Sequence, residues 1–352
     1  MLRSRKIYVR QLVLLLLTIN IPDSYAQPKQ PRQEWQVMFF NVENFFDIED
    51  DYDTEDDEFL PVGFYRWTQW KFEEKRNGIA NVIDSADNGT PPALIGLCEV
   101  ENRYVLQQLI SNTPLSKYGY AILHNDSPDP RGIDVALLYL SEQLEMLDSA
   151  FIRADTDTLP KDTRDILYAK GVLGKVDTMH IFVNHWSSKR GGAEATEPYR
   201  LQSAKIVRRS VDSILNANPL ASVILMGDFN DTYLSKPIIE ELRADKYTEQ
   251  ADNNELYNLS YGLAGQGKGT SKYKGKWNLV DMFFCSSSLL SSESLIYCEA
   301  DSFSIFDADF LLEDDKTYGG KKPRRTLFGP RYNGGVSDHL PVYITIKSRA
   351  GL

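Results

Sequence analysis

At six places in this chain a polar residue closes or interrupts an apolar run, and the residue types at those places are the ones phosphoester chemistry needs. Asn41 and Glu43 close the run from Val37, and Glu99 closes the run from Leu94. His185 closes the run from Ile181, and Asp228 and Asn230 close the run from Val223. Asp281 interrupts Leu279–Phe284, and Asp338-His339 stand directly before the final apolar run. A charge in a buried run is costly unless it is paired, hydrogen-bonded or bound to a metal. Capping alone explains one such residue more easily than six.

The oxygen donors Asn41, Glu43, Glu99 and Asp338 suit a hard divalent cation, magnesium first, with manganese or calcium fitting the same ligands. Asp228 is placed to orient or deprotonate a water, with Asn230 fixing it. Asp281 is a partner for His339, which would then meet the charge that develops on a phosphate. His185 and Arg131 are candidates for other phosphate oxygens, with Asp134, Lys189 and Arg190 as further substrate-side residues. This is the inventory of metal-assisted phosphoester hydrolysis. A non-catalytic metal site or structural roles would draw on the same residue types.

The elements that must position these residues are legible as apolar runs. Runs at Trp35–Phe40, Ala93–Leu97, Ile133–Leu140, Met179–Val183, Ser222–Met226, Leu279–Phe284 and Val342–Ile346 read as strands, several of them covered on both faces. Thr68 caps a predicted helix running to about Asp84. A second helix, from Glu197 to Asn216, lines Ala204, Val207, Val211, Ile214 and Leu215 along one face. Strands alternating with helices predict one layered α/β domain.

The strings Asn41-Val42-Glu43-Asn44, Cys98-Glu99, Arg131-Gly132-Ile133-Asp134, Asn184-His185-Trp186, Gly227-Asp228-Phe229-Asn230 and Ser337-Asp338-His339 follow the order seen in the endonuclease/exonuclease/phosphatase superfamily. The chain resembles that superfamily, in its deoxyribonuclease and exonuclease III-like branch, from about Trp35 to Ile346. The resemblance implies a four-layer sandwich of two packed mixed β-sheets flanked by helices, and magnesium as cofactor. It implies that Asn41, Glu43, Glu99 and Asp338 surround the metal and that Asp228 handles the attacking water beside Asn230. It also implies that His339, braced by Asp281, and His185 stabilise the phosphate. Glu43 departs from the aspartate common in repair enzymes, and no counterpart of their phenolic tyrosine stands near Arg131.

Composition bounds the function. The 352 residues carry 39 Lys and Arg against 50 Asp and Glu, a formal charge of -11. A binder that works through a basic surface alone is therefore excluded. Three cysteines and four histidines are too few for a disulfide scaffold or a multi-zinc module. Residues 1–26 read as a signal peptide, with Arg3, Arg5, Lys6 and Arg10 ahead of the apolar Leu12–Ile21 and a Ser24-Tyr25-Ala26 cleavage site. The expectation is a secreted or periplasmic protein without stable membrane insertion, with a leader at 27–34 and the domain at 35–348. Removing the signal, which holds four basic residues and one acid, leaves a charge of -14.

The acidic stretch Asp47 to Glu58 reads as a solvated loop, or as a calcium loop lacking an EF-hand's glycine. Cys285 and Cys298 read as a disulfide or as buried thiols. Trp70, Trp186 and Trp277 read as core residues or as base-stacking platforms. His124 and His180 have no partner visible in the sequence. The leading expectation is an endonuclease-like phosphodiesterase with a nucleic-acid substrate and no protein partner evident. A phosphatase or phospholipase C-type hydrolase of a small phosphoester or sphingolipid is the alternative, and an inactive binding module on the same fold is another.

Overall fold

A computed structural model describes residues 32–86, 90–154, 162–246 and 255–349. The proposed signal peptide and most of the leader lie outside the described residues. The first sheet holds β1 (Glu34–Phe45), β2 (Leu94–Val100), β3 (Tyr120–His124) and β4 (Asp134–Leu140). Its order is Ile296–Cys298, Val342–Ser348, β1, β2, β4, β3. β1 and β2 run parallel and their other neighbours antiparallel, so the sheet is mixed.

The second sheet holds β5 (Leu144–Ile152), β6 (Ile166–Leu173), β7 (Asp177–His185) and β8 (Ser222–Asp228). Its order is β5, β6, β7, β8, then Asp281–Ser286, Leu256–Asn258 and Ala244–Asp245. Only the β7–β8 and Leu256–Ala244 pairings are parallel.

Successive side chains of a strand point to opposite faces, so a strand covered on both faces reads as an unbroken apolar run. In β1, Val37 and Phe39 enter the core shared with the second sheet, while Met38 and Phe40 enter the core under the helices. Helix α1 (Gln69–Ser85) supplies Phe72, Ile79, Val82 and Ile83 to that outer core, and α2 (Arg103–Ser111) adds Val105, Leu106 and Leu109. On the second sheet, α3 (Ala193–Ala217) packs Ala204, Val207, Val211 and Leu215. Each fully buried side chain of this size contributes roughly 1.5–3 kcal/mol. The result is helix, sheet, sheet, helix. Gly96 of β2 marks how closely the sheets approach, since a Cβ there would sit 2.9 Å from Met226 Sδ of β8.

Thr68 does stand at the N-cap of α1, although its side chain makes no capping hydrogen bond. The three cysteines are buried free thiols. Among the described residues no helix is long and apolar enough to cross a membrane.

Candidate active site

The site forms where the facing sides of the two sheets run out. Strand alternation fixes which side chains arrive there. In β7, Met179, Ile181 and Val183 alternate inward and the next inward residue is His185; β8 pairs Val183 with Met226 and His185 with Asp228. Asp281 pairs with Asp228 from the other side. In β1 the inward series Val37, Phe39 ends on Asn41, whose neighbour across the sheet is Cys98. Past that point both β1 and β2 slip register. Glu43, Asn44 and Glu99 there hold φ of 52°, 53° and 61°, and Asn230 after β8 holds 50°. Such left-handed backbone is unfavourable for these residues, and its clustering at one place fits strain held for a site.

Asn41, Glu99 and Asp228 touch. The Asn41 amide donates to Asp228 Oδ2 at 3.0 Å and to Glu99 Oε1 at 3.3 Å. Glu99 Oε2 accepts from Asn44 N at 2.9 Å. Asp228 Oδ1 accepts from Asn230 N at 2.9 Å, and Asn230 Nδ2 donates to Asp228 Oδ2 and to the Trp186 carbonyl. His185 Nε2 stands 3.8 Å from both Glu99 Oε1 and Asp228 Oδ2. His339 Nδ1 bonds Asp281 Oδ2 at 2.7 Å, and its Nε2 faces Asp228 Oδ2 at 4.0 Å. Ser337 fixes that segment by donating to Asn41 O and accepting from His339 N.

Burial sets the charge states. It raises Asp228 to about 7, partly offset by His339. Burial alone would lower His339, but the Asp281 and Asp228 carboxylates hold it well above the usual histidine range. His185 goes the other way: burial, with Arg164, Arg131 and His339 nearby, keeps it well below that range. One imidazole is therefore cationic and the other neutral at pH 7.

The four residues expected around a metal fall into two groups. Asn41 and Glu99 face Asp228, as above. Glu43 and Asp338 instead share Arg325, which donates from Nε to Glu43 Oε1 at 3.0 Å and reaches Asp338 Oδ2 at 3.1 Å. Thr326 N bonds the other Glu43 oxygen at 2.7 Å. Beneath them Lys75, wholly buried, donates to Glu43 O at 2.7 Å, Val336 O at 2.6 Å and Thr326 Oγ1 at 2.5 Å.

The Glu99 carboxylate suits a hard divalent cation, whereas Asn41 Oδ1 already accepts from Glu43 N at 3.0 Å and would join a metal only by giving up that bond. Asp338 joins them only by leaving Arg325. Asp228, Asp281 and His339 also lie close enough together to suggest a metal cluster. However, His339 spends Nδ1 on Asp281 and carries a proton on Nε2, which faces Asp228 at 4.0 Å, so its ring has no lone pair free for a metal and the trio is not a ligand set.

The expected substrate-side residues are distributed around this core. Arg131 is half exposed and paired to Asp129 through Nε at 3.2 Å and Nη2 at 3.1 Å. Lys189 is partly exposed and bonds Asp231 at 2.7 Å, and Arg190 is exposed. Asp134 is buried at 2% exposure and accepts from Ser127 N, so its side chain does not reach the mouth of the site. Trp186 is core, edge-on to Phe229. Trp70 is 57% exposed against Tyr332.

Three further residues, Arg325, Lys75 and Arg164, belong to the site without having been expected from the sequence. Arg164 is buried and bonds Asp129 Oδ2 and the Trp186 carbonyl, beside His185. Lys75 had a signal: its spacing from Phe72 and Ile79 puts a lysine on the apolar face of α1.

Comparison with known proteins agrees with this fold. Residues 36–348 match the profile of the endonuclease/exonuclease/phosphatase family. A search of curated protein sequences returns no match. Among solved structures, Danio rerio TDP2 complexed with single strand DNA product is 14% identical, with a TM-score of 0.54, covering 89% of this chain and 98% of that one. The mannosyl-6-phosphatase Bt3783 of Bacteroides thetaiotaomicron is 14% identical at a TM-score of 0.55, over 89% and 99%. The human Nocturnin catalytic domain with bound sulfate is 17% identical at 0.53, over 90% and 97%. At these identities the likeness is one of fold. Members of the matched family are phosphoester hydrolases, typically dependent on a divalent metal. With a profile match over nearly the whole described chain, the protein belongs to the endonuclease/exonuclease/phosphatase family.

Proposed function

We propose that the chain is an exported, metal-dependent phosphodiesterase that hydrolyses nucleic-acid phosphodiester bonds in the manner of an endonuclease. The observation that carries the hydrolytic reading is the pairing of a cationic His339 with Asp228 across 4.0 Å, at the rim where both sheets end. Asp228, held by two bonds from Asn230, accepts the proton of a water whose oxygen attacks phosphorus. The ester P–O bond breaks and the leaving oxygen departs. His339 Nε2 donates to a non-bridging oxygen as charge builds there, and Asp281 keeps that proton in place. His185, neutral, offers a second hydrogen bond from the floor. A divalent cation held by Glu99 and Asn41 would polarise the phosphate oxygens.

Arg131, Arg325, Lys189 and Arg190 near the rim support a polyanionic substrate despite the net acidity. Beside the His339 segment, a cavity of about 440 Å³ lined by Trp277, Tyr343, Lys268 and Lys321 offers aromatic and cationic walls, as a base next to a phosphate would use. The alternatives, a small phosphoester or a sphingolipid headgroup, keep the same chemistry.

The test is a panel of duplex DNA, single-stranded DNA, RNA, mannose 6-phosphate and sphingomyelin, each with and without magnesium. Cleavage of the nucleic acids supports the proposal. Turnover confined to the monoester or the lipid would move the substrate, and no turnover of any would return the fold to a binding role. Export is tested by locating the full-length chain and determining its N-terminus, which should begin near Gln27.

A further inference from the structure

Away from the catalytic groups, the end of β3 and the start of β4 bring His124, Asp126 and Asp134 together. The His124 side chain is 2% exposed, and its Nε2 has no hydrogen-bond partner. That nitrogen points at Asp134 Oδ2, 3.7 Å away, in a side chain itself 3% exposed. The other ring nitrogen, Nδ1, lies 3.9 Å from Asp126 Oδ1, on a side chain 81% exposed. A protonated Asp134 donating to Nε2 would sit within about 3 Å, so these contacts are too long for a direct hydrogen bond. Orphaned buried donors or acceptors call for an explanation, and an ion is one. Asp134 Oδ1 is already anchored by Ser127 N at 3.0 Å, leaving Oδ2 toward the gap.

We propose that His124, Asp126 and Asp134 bind a zinc ion that pins the β3–β4 loop. One ligand atom from each residue lies within 4.8 Å of the others. Tetrahedral zinc with bonds of about 2.0–2.1 Å sets its ligand atoms about 3.3 Å apart. His124 Nε2 and Asp134 Oδ2, 3.7 Å apart, nearly meet that spacing, and the exposed Asp126 carboxylate closes the cage by swinging from the Nδ1 side toward them. The exposed Asp126 leaves a side open for water as fourth ligand. An imidazole with two carboxylates favours zinc over magnesium, which takes oxygen ligands in near-octahedral geometry.

The loop so held has a place in the site. It carries Asp129, which accepts from Arg131 and from buried Arg164. Arg164 in turn bonds the Trp186 carbonyl, which also receives Asn230 Nδ2. Zinc would therefore act as a positioning element, and the inference does not depend on the substrate proposed above.

The experiment measures zinc bound per chain, after chelation and desalting, by competition with a chromogenic zinc chelator. It uses the full chain, Glu99→Gln, His124→Ala and Asp126→Asn, with visible absorption of the cobalt form as a second readout. The expected result is one tight zinc in the wild type and in Glu99→Gln. Affinity should fall at least about tenfold in Asp126→Asn, the loss typical when even an outer partner of a ligand is removed. Asp126 is exposed, so that variant keeps the fold if His124→Ala does not. No tight zinc in the wild type overturns the inference. So does zinc retained by Asp126→Asn and His124→Ala, or zinc lost only with Glu99.

Discussion

Replacing Asp281 with Asn tests the electrostatics of the site at one atom. The Asp281 carboxylate is 1% exposed and holds His339 Nδ1 at 2.7 Å, and its Oδ1 has no other partner. Asparagine keeps the shape and removes the charge. Burial then acts on His339 with Asp228 and, more weakly, Asp338 opposing, so the ring holds its proton less firmly as pH rises. Losing one preorganised donor to the transition-state charge costs about 3 kcal/mol, or a fall in kcat of about 10²-fold.

The pH dependence gives the sharper signature. Wild-type His339 stays protonated past neutral pH, so its deprotonation limits nothing there. In Asp281→Asn the penalty should widen as pH rises from about 5.5 to about 9. The assay is steady-state hydrolysis of bis(p-nitrophenyl) phosphate with saturating magnesium, kcat and KM at each pH, with the melting temperature as a fold control. A penalty under about tenfold in a folded variant would refute the reasoning, as would one that shrinks with rising pH.

Gly227→Ala should destabilise the fold by about 3 kcal/mol or more and lower turnover about 10²-fold, because its Cβ would meet the Asn184 carbonyl oxygen at 2.4 Å and displace Asp228; chemical denaturation and kcat read the two effects. Arg325→Met should tighten magnesium binding several-fold, on the order of 1 kcal/mol, by freeing Asp338, while lowering stability by about 1–2 kcal/mol since Glu43 loses a half-exposed partner; calorimetric titration that shows weaker magnesium binding would count against this arrangement. Glu101 is raised to about 9 by burial and by Asp47, so it is protonated in the fold at neutral pH and ionised when unfolded. Stability should therefore fall as pH rises from about 4.5 to about 9, by at most about 1.4 kcal/mol per unit. Glu101→Gln should flatten that slope in melting curves, because its amide oxygen still accepts from Asp47 N.

What the sequence carried depended on periodicity. β1, β2, β7 and β8 are covered on both faces, so each reads as an apolar run ending on a polar residue, and that residue is the site. β5 escaped because it is an edge strand with Glu145, Asp148 and Ser149 turned to solvent. Its charges leave no run to detect. The metal set was legible as residue types and not as partners. Arg325 reaches Glu43 across 282 positions from a segment with only short strands, and nothing local marks that approach. His180 was without a visible partner for the same reason, and the fold gives it Tyr168 at 2.8 Å on the adjacent strand.

We expect this rim to hydrolyse phosphoesters through Asp228. The direct measurement is magnesium-dependent cleavage of single-stranded DNA by the wild type and by Asp228→Ala, at equal folded concentration. Cleavage should stop when magnesium is chelated and fall by at least about 10³-fold in Asp228→Ala. Wild-type and Asp228→Ala proteins that cleave DNA at the same rate would contradict it.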